Sequence, residues 1–247
     1  MVGEVYNYYV NNGRLYDYGD RKVDFYEDAF DALINFDFKT DAHKSYESIF
    51  TKYDSLLYGP MKGKTILNYI SSHDDGGPYD LQRERPLESA TKLLLTQGGA
   101  QIYYGDELAR SLTEEAEGDA KLRSFMNWED LKNDKMVSGH KVSEVLNHWQ
   151  KLGTFRNNHP SIGAGRHMKI TEKPYVFSRK YSSGSYSDQV VIGLDLKPGK
   201  KILSVGNIFE DGTSLSDQYS GTRSEVKGGK VILDTKYDIV LLEKSMN

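Results

Sequence analysis

The stretch TILNYISSHDDGG, residues 65–77, decides the fold of this protein. It opens with a short apolar run and then stops abruptly at serines, a histidine, two aspartates and two glycines. Apolar residues belong in a buried strand, whereas an imidazole beside paired carboxylates needs water or partners. The stretch therefore predicts a buried strand whose end carries a polar site.

Three more short apolar runs precede or follow this one at a nearly constant interval: MVGEV at 1–5, DALINF at 31–36 and AQIYYG at 100–105. Continuous apolar runs are typical of strands in a parallel sheet that is covered on both faces. We expect helices between them. One is predicted over residues 40–58 by its apolar spacing, and another begins near Pro86, which suits the first turn of a helix.

Strand and helix units of this length are those of a (β/α)8 barrel, with an open doubly wound sheet as the alternative. The predicted class is therefore α/β. Only four such units are present, so a TIM barrel built from this chain alone would be incomplete. An amphipathic helix is predicted over residues 142–158.

After about residue 160 the sequence changes character. Turn signals rich in glycine and serine separate segments typical of an antiparallel sheet or sandwich. These segments are PYVFSRKY, QVVIGLDL, KILSV, KVILD and DIVLLE. We therefore expect one domain over residues 1–160 and an all-β sandwich domain over residues 161–247.

The composition excludes several classes of function. The 247 residues carry a formal charge of -4, with basic residues scattered among acidic ones, so a nucleic-acid partner is not expected. There is no cysteine, which excludes disulfides and thiolate chemistry. No apolar run approaches the roughly 20 residues of a membrane span, and the first residues lack the features of a signal peptide, so no membrane partner is expected and the compartment is left open.

Carboxylates at three of the four strand ends are the candidates for chemistry. They are Glu4 at the end of the first run, Asp74 and Asp75 after the third, and Asp106 and Glu107 after the fourth. In βα barrels the carboxyl ends of the strands face the active site. Two carboxyl groups that converge there can divide into a protonated acid and an ionised partner, as glycosidic bond cleavage requires.

Each of these residues also has a simpler interpretation. Glu4 could be an ordinary exposed residue near a terminus. His73 with the two aspartates could bind a divalent metal, although no HxH or HxxxH pattern accompanies them. Asp106 and Glu107 could cap the following helix, and we favour this for Asp106.

The segment SSHDD at 71–75, followed by TQGGAQIYYGDEL at 96–108, resembles the last two barrel strands of the α-amylase family of glycoside hydrolases. MVGEVYN at 1–7 is similar to the strand-five motif that carries a glutamate. Further similar segments are INFDF, RSFMNW and WQKLGTFRNNHPSIGAG. The resemblance implies that residues 1–160 are the C-terminal half of the catalytic barrel and residues 161–247 the family's C-terminal sandwich.

The resemblance also implies roles for three residues. Glu4 corresponds to the general acid/base, and Asp74 to a second aspartate that binds sugar hydroxyls and helps distort the ring. His73 corresponds to a hydrogen-bond donor to the sugar at the cleavage site. An α-linked glucan, such as starch or maltodextrin, is the implied partner.

One part of the family's pattern has no counterpart here. A retaining glycosidase needs a carboxylate nucleophile roughly 5 to 5.5 Å from the acid, and the family carries it in a GxRxD motif upstream of the glutamate. Only Met1, Val2 and Gly3 precede Glu4. DRKVDF at 20–25 comes too late in the chain, so we interpret Asp24 as a solvated loop residue.

We therefore expect a catalytically incomplete chain. It needs no cofactor of its own, and the family's calcium site would belong to the half that is absent. Half a barrel exposes two strand edges, which predicts self-association or an altered fold. Two other functions stay open: a non-catalytic glycan-binding module, and a metal-dependent hydrolase that uses His73 and Asp74.

Overall fold

A computed structural model describes residues 1–27, 29–113 and 115–245 of the chain. The chain divides into two compact units, Met1–Leu152 and Gly153–Asn247. The division falls within the helix predicted over residues 142–158, and the domain boundary predicted after residue 160 stays a prediction.

The first unit is built on a four-stranded sheet in which every neighbouring pair is parallel. The strands of this unit are β1 (Val2–Gly3), β2 (Leu15–Asp17), β3 (Lys22–Asp24), β4 (Ala32–Asn35), β5 (Thr65–Asn68), β6 (Gly99–Ala100), β7 (Met136–Val137) and β8 (His140–Lys141). The parallel sheet has the order β1-β4-β5-β6. Its four strands lie within or beside the four apolar runs of the sequence, so the predicted parallel α/β sheet is confirmed.

The helices of the first unit are α1 (Phe38–Asp41), α2 (Tyr46–Tyr58), α3 (Pro86–Leu95) and α4 (Trp128–Lys132), with 3-10 turns at Val10–Asn12, Asp106–Leu108 and Gly118–Leu122. Helix α5 (Val142–Asn158) begins in this unit and ends in the second. Helix α3 begins at Pro86, as predicted. Helix α2 is shorter than predicted because Ser45 caps it, accepting a hydrogen bond from the Ser48 N–H at 3.3 Å.

The connection between β1 and β4 differs from the expected strand and helix pattern. In its described residues it contains a 3-10 turn and the antiparallel hairpin formed by β2 and β3 instead of an α-helix. Asp24 lies in β3, and its carboxylate accepts a contact of 2.7 Å from the Arg14 guanidinium. The interpretation of Asp24 as a solvated loop residue was therefore wrong.

Two buried asparagines join the carboxyl ends of the central strands. Asn35 and Asn68 face each other in the register of β4 and β5, and the Asn35 side-chain amide donates to Asn68 Oδ1 at 2.7 Å. The Asn68 amide donates in turn to the Gln97 carbonyl at 2.8 Å. Because each side-chain amide has a partner, these polar groups can be buried at little cost, and they fix the edge from which the site loops leave.

Gly98 lies in the turn before β6, where the backbone passes close to strand β5. Its φ is 97°, in the left-handed region. A Cβ at this position would lie 3.0 Å from the Ile66 carbonyl oxygen. A glycine is needed here because the backbone of the turn comes so near to strand β5.

The second unit contains helix α6 (Pro160–Ala164) and an antiparallel sheet. Its strands are β9 (Arg166–Thr171), β10 (Tyr175–Ser183), β11 (Tyr186–Leu194), β12 (Gly199–Ser204), β13 (Ser214–Asp217), β14 (Arg223–Glu225), β15 (Lys230–Thr235) and β16 (Val240–Lys244). Six strands form one sheet in the order β14-β13-β16-β11-β10-β9, and β12 pairs with β15. Val191, Leu203 and Leu233 contribute to one apolar core that both sheets share. The predicted antiparallel sheet after the parallel one is therefore confirmed, and the second unit, in which strands predominate, is termed the all-β unit.

None of the helices in the described ranges is long and apolar enough to cross a membrane.

Candidate functional site

The polar loops at the carboxyl edge of the parallel sheet surround a cavity of about 650 Å³. Glu4 directly follows β1, and Asp74 lies in the loop after β5. Both residues line this cavity. They meet there because the carboxyl ends of parallel strands lie at the same edge of a sheet.

A smaller cavity of about 40 Å³ shares part of this lining. Glu4 and Asp74 line it too, together with His73, Ser72 and Tyr69. The structure thus brings together the three residues that the sequence analysis singled out as site candidates. All three are exposed, so a ligand in the cavities can reach them.

The loop after β5 holds Asp74 through its neighbours. The Ser72 hydroxyl donates to Asp74 Oδ1 at 2.9 Å. His73 Nε2 lies 3.6 Å from Asp74 Oδ2, an ion-pair distance when the imidazole is protonated. The Arg123 guanidinium donates to the His73 carbonyl oxygen at 2.8 Å, which ties the loop to the segment after the third 3-10 turn. The backbone of the loop is therefore anchored while both side chains stay accessible.

Asp75 has a different environment from that of Asp74. Its carboxylate accepts from the Lys39 ammonium, from the Tyr69 hydroxyl at 2.7 Å and from the Gly77 N–H at 3.1 Å. Burial acts to raise the pKa of Asp75, but these donors outweigh it and hold the pKa below its usual value. Asp75 is therefore an ionised, fully engaged member of the cavity wall.

Asp37, which was not among the residues expected in the site, also lines the larger cavity. Burial raises the pKa of Asp37, although the Lys52 ammonium and a hydrogen bond of 3.3 Å from the Asn11 N–H act in the opposite direction. The sequence does contain a pattern that could have identified Asp37 as a site candidate, because Asp37 directly follows the apolar run at 31–36. Its neighbour Asp41 is held by Lys44 at 2.7 Å and by the Tyr53 hydroxyl at 2.8 Å.

Aromatic side chains form part of the same wall. Tyr6, Tyr9 and Phe36 line the larger cavity, and Tyr6 is 75% exposed. The rings of Tyr6 and Phe36 meet edge to face with their centroids 6.0 Å apart. Such rings give the cavity flat, partly apolar surfaces beside its carboxylates.

Asp106 does not act as a helix cap, so that prediction was wrong. Gly105 occupies the cap position of the following 3-10 turn, and no side chain caps it. The Asp106 carboxylate is buried and accepts from Arg83 at 2.7 Å and from the Ser71 hydroxyl at 2.5 Å. Glu107 turns back to accept from the Gly105 N–H at 2.9 Å. Neither residue lines the two cavities described above.

Within the three described ranges, no group of three or more histidine, aspartate or glutamate side chains is arranged to hold a metal ion.

Solved structures of α-amylases share this fold. An Anoxybacillus α-amylase matches all of this chain and 52% of its own length, with a TM-score of 0.58 and 22% identity. A Geobacillus thermoleovorans α-amylase, solved in complex with acarbose, matches 99% of this chain and 53% of its own length, with a TM-score of 0.61 and 15% identity. AmyP in complex with maltose matches with a TM-score of 0.55 and 15% identity, over 98% of this chain and 54% of its own.

The sequence comparison identifies the family. The periplasmic α-amylase of Escherichia coli (strain K12) is 36% identical over an alignment of 174 residues that covers 68% of this chain and 24% of that protein. No model of a known protein family matches the chain. With the shared fold, this identity shows that the chain belongs to the α-amylase family of glycoside hydrolases. The chain spans about a quarter of the length of this curated relative and about half the length of the solved ones.

Proposed function

We propose that this chain supplies one side of a retaining glycosidase site that acts on α-linked glucans. Glu4 is the general acid/base, Asp74 binds sugar hydroxyls and favours distortion of the ring, and His73 donates a hydrogen bond to the same sugar. The observation that carries the proposal is that Glu4 and Asp74, which lie 70 residues apart in the sequence, line the same two cavities.

The chemistry follows from what each group can do. A protonated Glu4 carboxyl gives its proton to the leaving glycosidic oxygen and later, as a carboxylate, takes a proton from water. Asp74 Oδ1 accepts from the Ser72 hydroxyl, and Asp74 Oδ2, which lies 3.6 Å from His73 Nε2, can accept from a sugar hydroxyl. Hydrogen bonds of this kind lower the barrier when they strengthen in the oxocarbenium-like transition state.

We also propose that residues 1–160, which contain the parallel sheet, are the C-terminal half of a (β/α)8 barrel. A sandwich domain then follows over residues 161–247. The sheet has four parallel strands in sequential spatial order, with β1 and β6 at its edges. Sequential order is what a barrel requires of adjacent strands. The two edges are where further strands of a barrel, or a second copy of the chain, would pair.

We further propose that the chain alone is catalytically incomplete because, among the residues that the structure describes, the larger cavity offers no carboxylate suited to act as the nucleophile. Two of the other carboxylates in the larger cavity, Asp41 and Asp75, are engaged by lysines. The third, Asp37, has a pKa raised by burial, which disfavours the ionised form that a nucleophile needs. Without the covalent route, general acid catalysis and ring distortion should give little hydrolysis.

A glycan-binding module is the second candidate function. The exposed ring of Tyr6 and the neighbouring ring of Tyr9 favour it, because both line the cavity beside polar groups that can bind sugar hydroxyls. This function needs the cavity but not the nucleophile, so it is compatible with an incomplete catalytic site.

Two measurements on the same chain test these proposals. Reducing-sugar release from soluble starch should be undetectable, while migration in a native gel that contains starch should be retarded. Retardation should decrease in Asp74→Asn and stay unchanged in the control Glu129→Gln, which removes an exposed carboxylate from α4. Clear starch hydrolysis that is abolished in Glu4→Gln would refute the proposal that the chain alone is catalytically incomplete. A chain that neither binds nor hydrolyses starch would refute both functions.

A further inference from the structure

The all-β unit contains a cavity of its own, with a volume of about 710 Å³. Its walls are the turn between β9 and β10, the segment that follows β11, and strand β12. A volume of this size is typical of a site for a small organic molecule. Nothing in the proposed glucan cleavage uses this cavity.

The charges around this cavity are mostly positive. Lys173, Lys197 and Lys200 line it with exposed side chains, and no ion pair or hydrogen bond engages their ammonium groups within the described part of the chain. Of the two acidic residues in the lining, Glu172 already binds the Lys169 ammonium at 2.5 Å. In a protein with a formal charge of -4, this is a local excess of available cations.

A fourth lysine helps to form the wall rather than to bind a ligand. The Lys201 side chain is buried, and its ammonium donates to the carbonyl oxygens of Thr235 at 2.6 Å and Gly199 at 3.0 Å. The bond to Thr235 joins β12 to the end of its partner strand β15. The strand that carries Lys200 is therefore held in place, which reduces the ordering cost of binding a ligand against it.

The remaining surface of the cavity is largely apolar. Pro174, Tyr175, Leu196, Ile202 and Leu203 contribute to it, and Ile202 is 55% exposed. An exposed isoleucine and a tyrosine ring in the same lining offer apolar surface against which the body of an organic molecule can lie. Unpaired lysines around such a surface favour a ligand that combines a ring or chain with an anionic group.

We propose that this cavity binds a small organic phosphate, with the phosphate between Lys197 and Lys200 and the ring against Ile202. Lysine binds phosphate as a flexible point charge, and two or more lysines suit a dianion. The proposal is independent of glucan cleavage, because every residue that it uses belongs to the all-β unit.

Isothermal titration calorimetry of the full chain with glucose 6-phosphate, at constant ionic strength, tests the proposal. Inorganic phosphate and glucose serve as parallel titrants. We expect saturable binding of glucose 6-phosphate, weaker binding of inorganic phosphate and none of glucose. The combined change Lys197→Gln with Lys200→Gln should weaken binding by at least about tenfold. The matched control is Lys180→Gln with Lys244→Gln, two exposed lysines outside the cavity lining, and it should bind as the wild type does.

Each contrary result would overturn the proposal. Absence of saturable binding to the wild type would do so, as would equal weakening in the two variants, since that indicates an effect of net charge alone. Equal affinity for glucose 6-phosphate and inorganic phosphate would remove the role of the apolar wall. Because all four substituted lysines are exposed, thermal midpoints of both variants should match that of the wild type and confirm that the fold is kept.

Discussion

The Ser71 hydroxyl donates a hydrogen bond to Asp106, with 2.5 Å between Ser71 Oγ and Asp106 Oδ2. Ser71 belongs to the loop after β5 and Asp106 to the segment after β6, so this bond joins two neighbouring strand ends. Arg83 donates to the other carboxylate oxygen at 2.7 Å and also to the Arg110 carbonyl at 2.7 Å. All four residues are buried. The loop that carries His73 and Asp74 therefore begins on a buried polar network.

Asp106→Asn should destabilise the first unit by about 3 kcal/mol, because it leaves the Arg83 guanidinium buried without a charged partner. Urea denaturation measures the loss. The control Glu107→Gln changes an adjacent carboxyl whose observed bond is to the Gly105 N–H, and its cost should be under about 1 kcal/mol. Similar losses in the two variants would contradict a special role for the buried pair.

Lys39→Gln should raise the pKa of Asp75, because it removes the largest of the favourable contacts that offset burial. An NMR titration of the Asp75 carboxyl measures this shift. The same change should lower the free energy of unfolding at neutral pH by about 1 to 2 kcal/mol, since the pair is four-fifths buried. The exposed Lys62 is the control position, and Lys62→Gln should leave the Asp75 titration where it is in the wild type.

His148 should make the stability of the first unit depend on pH. Burial lowers the pKa of His148 to about 4, from an ordinary value of 6.5. The folded state therefore resists protonation that the unfolded state accepts. The stability contributed by the neutral imidazole is complete above pH 6.5 and falls by about 1.4 kcal/mol per pH unit as the pH decreases toward 4.

Urea denaturation of the wild type and of His148→Gln at several pH values between 7 and 4.5 tests this expectation. The slope of the unfolding free energy against pH should be smaller in His148→Gln by about 1.4 kcal/mol per pH unit, which corresponds to the uptake of one proton on unfolding. His43→Gln, which removes an exposed imidazole, should keep the wild-type slope. Equal slopes in all three proteins would show that His148 is not the group responsible.

Tyr6→Ala should weaken retention by starch, because it removes an exposed ring from the wall of the larger cavity. An aromatic contact contributes about 0.5 to 1.5 kcal/mol beyond its buried area, so we expect affinity to fall by about two- to twelvefold. Native gels with a series of starch concentrations give this ratio. Tyr186→Ala, which removes a half-exposed ring from the all-β unit, should migrate as the wild type does.

The parts of the fold that the sequence predicted are those set by local apolar patterns. The four parallel strands stand out because continuous apolar runs mark strands that are covered on both faces. Helix α3 starts at Pro86 because proline suits the first turn. The hairpin of β2 and β3 was missed because its three-residue strands are too short to show an alternating pattern.

The site was predictable where a residue's position after a strand decides its environment, and unpredictable where a distant partner decides it. Glu4 and Asp74 line one cavity because both follow strands of the same parallel sheet. Asp106 follows a strand too, but Arg83, 23 residues earlier, draws its carboxylate into the interior. No local sequence pattern indicates this pairing, so the sequence alone could not distinguish a buried ion pair from a helix cap.

A crystal structure of this chain with bound maltotriose tests the central claim most directly, namely that the carboxyl groups of Glu4 and Asp74 serve one glucan site. We predict a glucose ring within hydrogen-bond distance of both carboxyl groups, in the cavity that Tyr6 also lines. The claim would be contradicted by a trisaccharide bound only elsewhere on the chain, or by an empty cavity at millimolar maltotriose.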